Sequence, residues 1–337
     1  VDLRTGTAAV ALHLAENEVE LADGERLRFD KALLATGSSP RRLEVPGADL
    51  EGVHHLRRLG DSRALSSALA GGGRRVVVIG GGWIGLEVTA AARTLGNDVT
   101  VVEPAPTVLR AALGDELGAM FAELHREHGV RLLLGEGVDA IEGSGGLVSA
   151  VLTTGGERLP AEVVVVGVGA RPEVTLAEAA GLEVDNGILV DASLRSSHPD
   201  VFAAGDVANA MHPLLGRRLR VEHWANALHG GPVAARAMLG LPVVHDDLPF
   251  FYTDQYELGM EYRGSIGPEG FDRIVLRGDR AGRELLVLWL LGSRVQAGMN
   301  VNVWDVGEHV EALIRAGRPV DPERLADVAV PLDSFLG

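Results

Sequence analysis

One stretch of the chain, residues 74–103, joins an apolar strand, a glycine-rich turn, a helix-forming segment and a second apolar strand. The turn follows the pattern Gly80-x-Gly82-x-x-Gly85, and Glu103 ends the second strand. A glycine pattern alone is weak evidence, but this order of elements is the dinucleotide-binding fingerprint. Gly80 permits the tight turn, Gly82 lets a pyrophosphate approach the backbone, and Gly85 lets the helix pack closely on the strand. The helix N-terminus supplies N–H groups to the phosphates, so the chain is predicted to bind a nicotinamide dinucleotide.

Glu103 also distinguishes between the two nicotinamide cofactors. A carboxylate at this position accepts hydrogen bonds from the ribose hydroxyls and repels the 2′-phosphate of NADP. The next residues are Pro104, Ala105 and Pro106, and the first cation is Arg110, which could swing back in principle. The sequence therefore favours NADH, and a solvated glutamate at the strand end is the alternative.

The composition restricts the class of protein. A length of 337 residues predicts two or three domains. Apolar residues make up 46% and aromatic residues 4%, which is typical of an α/β enzyme. The formal net charge of −16 argues against a nucleic-acid partner, which needs a basic surface. We find no apolar run near the ~20 residues that span a bilayer and no signal peptide, so no membrane partner is expected and a cytoplasmic location is predicted.

The sequence contains no cysteine, which excludes disulfides and thiolate metal sites in the residues present. No metal site is predicted.

Local patterns predict further elements. The pattern of residues 1–37 predicts an antiparallel meander, and residues 32–35 are predicted to form a buried strand. The apolar run 163–168 predicts a central parallel strand. Beyond residue 248 the pattern becomes hairpin-like, which predicts a separate α+β domain. Helices are expected at residues 60–69, 115–128, 223–239, 306–316 and 322–326.

A series of short motifs runs along the whole chain: FDKALLATG at 29–37, GGGWIGLE at 80–87, GVGARP at 167–172, VFAAGD at 201–206, VEHW at 221–224, YTDQY at 252–256 and VDP at 320–322. In this order they resemble the FAD-dependent pyridine-nucleotide reductases, most closely the ferredoxin-reductase branch that serves aromatic-ring dioxygenases. The resemblance implies an α/β fold of two nested three-layer dinucleotide-binding domains, the first incomplete, plus a C-terminal α+β interface domain. It places an FAD-binding domain at 1–50 and 171–245, an NADH-binding domain at 51–170, and the C-terminal domain at 246–337.

The resemblance implies FAD as a second cofactor beside NAD. Thr36 and Gly37 would lie against its adenosine side, and Asp206 would bind the ribityl hydroxyls. The helix start near Trp224 would aim N–H groups at the flavin N1/O2 edge. Tyr252 stands where relatives usually carry a tryptophan close to the flavin, which puts partner choice in doubt. The remaining cofactor-binding residues implied are Gly169, Gly205 and His223. Without the resemblance, a Gly-Asp pair at a strand end indicates a turn or a helix cap.

Trp83 and Glu87 are the residues implied to be catalytic. In the family, an aromatic side chain at the position of Trp83 lies beside the flavin where the nicotinamide stacks. Glu87 would face the nicotinamide carboxamide and pair with a lysine of the flavin domain. The alternatives are helix-on-sheet packing for Trp83 and a favourable interaction of Glu87 with the helix dipole.

The implied reaction takes a hydride from NADH onto FAD and passes electrons singly to a ferredoxin-type iron–sulfur protein. Arg217, Arg218 and Arg220 form the densest basic patch and are predicted to dock this partner, although a solvated loop is the simpler interpretation. The family carries a second glycine-rich unit for the FAD pyrophosphate, and this sequence has one such unit, so its FAD site is expected to be incomplete. The alternatives are an NADH oxidase, a quinone or peroxide reductase, or a non-enzymatic NAD(H)-binding module. The sequence leaves open a monomer or a homodimer.

Overall fold

The computed structural model describes residues 1–336. One unit of the chain comprises Val1–Ser38, Pro172–Tyr252 and the residues from Gly259 onward, and the other comprises Ser39–Arg171 and Thr253–Leu258. The predicted boundaries of three domains stay a prediction. The architecture is mixed α/β, with a parallel sheet and a C-terminal antiparallel sheet.

The amino-terminal residues form the predicted antiparallel meander, a three-stranded sheet of β1 (Ala9–His13), β2 (Glu18–Leu21) and β3 (Arg26–Arg28). Three short strands follow: β4 (Ala32–Leu34), β5 (Ser38–Pro40) and β6 (Val53–His54). The prediction that residues 32–35 are a buried strand is only partly right. Leu34 is buried, but Leu33 is 36% exposed.

The dinucleotide fingerprint folds as a parallel sheet with helices. This part of the chain contains α1 (Leu59–Leu69), β7 (Arg75–Ile79), α2 (Trp83–Thr94), β8 (Asp98–Glu103), α3 (Arg110–Glu127) and β9 (Arg131–Leu134), then a separate antiparallel sheet of β10 (Val138–Ser144), β11 (Leu147–Thr153) and β12 (Arg158–Pro160), and finally β13 (Val163–Val166), which returns to the parallel sheet, and β14 (Ala170–Pro172). The strand order is β6-β13-β7-β8-β9, with all neighbours parallel. All four residues of β13 are buried, as expected of an internal parallel strand. Helix α3 is interrupted at Gly114, whose φ is 79°, so the regular part begins where the sequence predicts it.

The next segment returns to the first unit. It contains α4 (Thr175–Ala179), β15 (Ile188–Val190), β16 (Val201–Ala203), a 3-10 turn (Gly205–Val207), β17 (Ala208–His212), β18 (Arg217–Arg220) and α5 (Trp224–Met238). Strand β16 pairs in parallel with β4, so the carboxyl ends of these two strands meet at one edge. Strand β17 pairs in parallel with β15 and antiparallel with β18. The segment is held by a core that includes Ile188, Val201 and Ala234.

The carboxyl-terminal residues form the hairpin-rich segment that the sequence predicts. Its elements are β19 (Phe250–Gln255), β20 (Leu258–Gly264), β21 (Arg273–Asp279), β22 (Glu284–Leu291), β23 (Arg294–Val301), α6 (Gly307–Ala316), α7 (Pro322–Ala326) and a 3-10 turn (Leu332–Phe335). The strand order is β19-β20-β23-β22-β21, and α6 packs Val310 and Leu313 into the same core as Leu288. Among residues 1–336 the structure contains no helix long and apolar enough to cross a bilayer.

Candidate functional site

The glycine loop between β7 and α2 has the geometry that a dinucleotide requires. Gly80 has a φ of +105°, and a Cβ there would lie 2.5 Å from the carbonyl oxygen of Gly167. A Cβ on Gly85 would lie 2.1 Å from the carbonyl oxygen of Gly80, so only glycine allows the helix to approach the strand this closely. Gly82 begins α2 as its N-cap, and a Cβ there would meet no atom within 4 Å. The first and third glycines are therefore needed for packing, and the second leaves open space in front of the helix N-terminus.

Glu103 lies against this loop from the end of β8. Its Oε2 accepts a hydrogen bond from the backbone N–H of Gly81 at 2.6 Å, and its Oε1 accepts one from Ala105 at 2.8 Å. Each carboxylate oxygen has a further lone pair for a ribose hydroxyl. Arg110, the nearest cation in the sequence, forms an ion pair with Asp115 at 2.6 Å.

Trp83 and Glu87 stand one helical turn apart at the start of α2. The Trp83 ring is half-buried and meets the buried Phe121 ring edge to face, with centroids 5.6 Å apart. Glu87 is half-buried, and its Oε1 accepts a hydrogen bond from Thr253 Oγ1 at 2.7 Å. Burial raises the pKa of Glu87, the hydroxyl of Thr253 opposes that rise, and the charge of Asp254 adds to it.

A lysine partner for Glu87 stays a prediction. Lys31, the single lysine in the sequence, forms an ion pair with Asp200. The hydrogen bond that the structure gives Glu87 comes instead from Thr253.

The contact with Thr253 continues into a buried chain of polar side chains that local sequence reasoning missed. Gln255 Nε2 donates to Thr253 Oγ1 at 3.2 Å, and Gln255 Oε1 lies 2.9 Å from His125 Nε2. The other ring nitrogen of His125 lies 3.3 Å from the hydroxyl of Tyr256. Burial lowers the pKa of His125 to about 4, so its ring is neutral at pH 7. The motif at 252–256 was the available signal, but the sequence did not show which side chains it would meet.

The residues predicted to hold FAD meet at the edge formed by the carboxyl ends of β4 and β16. Asp206 is buried in the turn after β16, and its Oδ2 accepts a hydrogen bond from Ser38 Oγ at 2.8 Å. Thr36 Oγ1 donates to the carbonyl oxygen of Glu173 at 2.7 Å. Ser38 is a site residue that the sequence did not indicate. The carboxyl ends of adjacent parallel strands are where open α/β sheets bind their ligands.

Three glycines at the predicted sites have left-handed backbone conformations. The φ angles are +71° at Gly37, +94° at Gly169 and +75° at Gly205. The nearest atom to a Cβ on Gly205 would be the Cβ of Ala227 at 3.7 Å, an ordinary contact. At Gly205 the backbone conformation, rather than lack of space, therefore favours glycine.

The start of α5 brings together the remaining predicted residues. His223 is the N-cap, its ring lies 4.6 Å from that of Phe251, and burial lowers its pKa. Its Nδ1 is buried and has no hydrogen-bond partner among the described residues. Trp224 is 71% exposed and Tyr252 is 57% exposed. A buried unpaired ring nitrogen beside the free N–H groups of a helix start is an arrangement that a polar ligand would complete.

Comparison with known proteins identifies the family. Residues 1–231 match the family model described as pyridine nucleotide-disulphide oxidoreductase, and residues 250–336 match the model described as reductase C-terminal. The chain belongs to the pyridine nucleotide-disulphide oxidoreductase family. The motifs implied that the chain belongs to the ferredoxin-reductase branch of this family, and similarity to the following relatives confirms this prediction.

The relatives include the anthranilate 1,2-dioxygenase system ferredoxin–NAD(+) reductase component of Burkholderia cepacia, which is 42% identical over 100% of this chain and 82% of its own length. Putidaredoxin reductase of Pseudomonas putida is 37% identical over 100% of this chain and 80% of its own length. Among solved structures, the covalent putidaredoxin reductase–putidaredoxin complex matches with a TM-score of 0.93 and 37% identity, covering 98% of this chain and 80% of that chain.

The residues at the β4–β16 edge fit the flavin cofactor of this reductase family. Asp206 offers a buried carboxylate for hydroxyl groups, and the unpaired Nδ1 of His223 offers a further polar contact. The first turn of α5 offers backbone N–H groups. The structure is therefore compatible with FAD binding by these residues, and their individual roles stay predictions.

The predicted docking arginines lie on strand β18 rather than in a loop. Arg217 Nη2 donates to Ser265 Oγ at 2.6 Å, and Arg218 Nη1 donates to the carbonyl oxygens of Val190 and Asn209 at 2.9 and 3.0 Å. Arg220 forms an ion pair with Glu222. Each guanidinium thus has acceptors within its own unit, and of the three residues only Arg218 is exposed. The docking role of these arginines stays a prediction, and the exposed Arg218 is the one most accessible to a partner.

Proposed function

We propose that this chain is an NADH-dependent, FAD-containing reductase that passes electrons to a ferredoxin-type iron–sulfur protein. The observation that carries the proposal is similarity to ferredoxin–NAD(+) reductase components of dioxygenase systems over 100% of this chain and 81 to 82% of their own length. A solved relative in covalent complex with putidaredoxin supports the same choice of acceptor. These relatives favour a ferredoxin over oxygen, a quinone or a peroxide as the electron acceptor.

The NADH side of the reaction is assigned to the glycine loop and to α2. The N–H groups at the start of α2 bind the pyrophosphate in the open space at Gly82, and Glu103 accepts hydrogen bonds from the ribose. Glu103 also repels a 2′-phosphate, and the ion pair of Arg110 with Asp115 leaves that charge uncompensated. The proposal therefore includes a preference for NADH over NADPH.

Trp83 and Glu87 are assigned to the nicotinamide. The Trp83 ring, supported by Phe121, provides an aromatic surface against which the nicotinamide is held in position. The Glu87 carboxylate accepts a hydrogen bond from the carboxamide and stabilises the positive charge that grows on the nicotinamide ring as the hydride leaves.

The flavin side is assigned to the β4–β16 edge and to α5. When bound, FAD supplies the conversion between a two-electron donor and a one-electron acceptor. Asp206 would hold the ribityl hydroxyls, Thr36 and Gly37 would lie at the adenosine side, and the α5 N-terminus would favour negative charge on the flavin. Tyr252 provides an exposed aromatic surface. The proposal places the enzyme in the cytoplasm, as a monomer or a homodimer.

The test compares electron acceptors under one set of conditions. Purified protein is saturated with added FAD and supplied with NADH, and a [2Fe–2S] ferredoxin, oxygen or a quinone is the acceptor in separate reactions. The proposal predicts that ferredoxin is reduced with the highest kcat/KM. Comparable rates with oxygen or the quinone, and slow reduction of every ferredoxin tried, would contradict it.

A further inference from the structure

Helices α2 and α3 carry matching pairs of side chains. Trp83 and Glu87 are four residues apart on α2, and Phe121 and His125 are four residues apart on α3, so each pair lies on one helix face. Phe121 contacts Trp83 directly. His125 is linked to Glu87 through two side chains of the segment 253–258. One face of α3 therefore supports both residues assigned to the nicotinamide.

The hydrogen bonds between Glu87 and His125 run in one direction. The Thr253 hydroxyl donates its single proton to Glu87 and accepts from the amide group of Gln255. The carbonyl oxygen of Gln255 must then accept from His125 Nε2–H, which fixes the ring tautomer. His125 Nδ1 is left to accept from the Tyr256 hydroxyl. Each donor in the chain points towards the Glu87 carboxylate.

Burial of these hydrogen-bonded polar side chains costs desolvation free energy, and packing alone does not require polar groups here. Thr253 is 2% exposed, and Gln255 and His125 are fully buried. Apolar side chains of the same size would fill this space without the desolvation cost. Every link is nevertheless satisfied, and the chain ends at a carboxylate placed beside the glycine loop. Such an arrangement suits the orientation of one acidic group.

We propose that Thr253, Gln255 and His125 are positioning residues that fix the orientation of the Glu87 carboxylate and keep it ionised for the nicotinamide. This inference rests on the proposed role of Glu87. An amide group does not relay a proton readily, so the chain orients Glu87 and does not conduct protons to it. The effect reaches the nicotinamide only through Glu87.

The surroundings of Glu87 oppose ionisation of its carboxyl group. Burial and the charge of Asp254 both favour the neutral carboxyl group, and the Thr253 hydroxyl favours the carboxylate. Loss of the Thr253 hydroxyl therefore raises the pKa of Glu87 further above its ordinary value.

The test uses Thr253→Val, which removes the hydroxyl at constant shape, and Thr253→Ser, which keeps it. Thr94→Val is the matched control, because the Thr94 hydroxyl donates to a carbonyl oxygen of its own helix, that of Ala90. The first readout is the carboxyl titration of Glu87 by 13C NMR, assigned with Glu87→Gln. The second is the Kd for NADH, measured as a function of pH.

We expect Thr253→Val to raise the Glu87 titration midpoint and to weaken NADH binding at pH 7 by about threefold to tenfold, the range for one lost hydrogen bond. Thr253→Ser and Thr94→Val should match the parent protein in both readouts. If Thr253→Val fails to fold, Gln255→Met removes the donor to Thr253 and should shift both readouts in the same direction.

An unshifted Glu87 titration in Thr253→Val, or in Gln255→Met if that variant is needed, would overturn the inference. The failure of the proposed function has a different signature. If Glu87→Gln itself leaves the Kd for NADH and the flavin-reduction rate unchanged, the nicotinamide role of Glu87 is wrong, whatever the titration shows.

Discussion

The buried imidazole of His125 predicts a specific loss of stability in acid. Burial favours the neutral ring, and the hydrogen bond to Gln255 only partly offsets this, so the pKa falls from 6.5 to about 4. Between these pH values the unfolded chain binds a proton that the folded protein does not, and the free energy of unfolding therefore falls as the pH is lowered. This loss of stability begins below about pH 6.5 and amounts to about 3 kcal/mol by pH 4.

The assay is urea unfolding of the parent protein and of His125→Gln at several pH values from 7 to 4. Fluorescence follows the transition, with Trp83 reporting from the same unit as His125. Gln at position 125 can still donate to Gln255 but does not titrate. Between pH 7 and 4 the free energy of unfolding of the parent should therefore fall by about 3 kcal/mol more than that of the variant. His229→Gln, at a side chain that is 53% exposed, is the control. Parallel curves for the parent and His125→Gln would refute the reasoning.

Three further predictions test other parts of the account. Glu103→Ala should lower the ratio of kcat/KM for NADH to that for NADPH by about tenfold or more, since a charged hydrogen-bond acceptor is lost. An unchanged ratio would contradict the assignment of Glu103 to the ribose. Gly85→Ala should lower Tm and cost roughly 2 kcal/mol or more, because its Cβ would lie 2.1 Å from the Gly80 carbonyl oxygen; an unchanged Tm would contradict this. Arg218→Glu should slow electron transfer to ferredoxin at low salt and less at high salt, with a small neutral acceptor unaffected; equal losses with both acceptors would exclude docking.

Much of the fold follows from local patterns. The glycine turn can be predicted because its requirement is steric: Gly80 and Gly85 stand where a Cβ would meet a backbone oxygen. Helix α3 begins its regular part after Gly114, where a positive φ interrupts it. At Gly85 and Gly114 the deciding residues are neighbours in sequence, whereas the oxygen that a Cβ on Gly80 would meet belongs to the distant Gly167.

The strands β17 and β18 escaped prediction for a physical reason. β18 is rich in arginine, and such a segment has the composition of a solvated loop. In the structure, Arg218 donates to the carbonyl oxygens of Val190 and Asn209 while its chain segment pairs with β17. The charge pattern carried no sign of these acceptors, because they come from other strands.

The side-chain partners at the site could not be predicted either. Glu87 and Thr253 are 166 positions apart, and Ser38 and Asp206 are 168 positions apart. Such contacts depend on how distant segments return to the same place, which local periodicity does not encode. The resemblance pointed to Asp206 and Glu87, but it did not supply Ser38 or Thr253.

The central claim is that electrons pass from NADH through FAD to a ferredoxin, and a single-turnover experiment tests it most directly. Under anaerobic conditions, protein carrying oxidised FAD is mixed with one equivalent of NADH and then with an oxidised [2Fe–2S] ferredoxin. The account predicts that NADH bleaches the flavin spectrum rapidly, that NADPH does so much more slowly, and that ferredoxin restores the oxidised spectrum as its own cluster is reduced. A flavin that NADH does not bleach, or a reduced flavin that ferredoxin leaves unchanged, would contradict it.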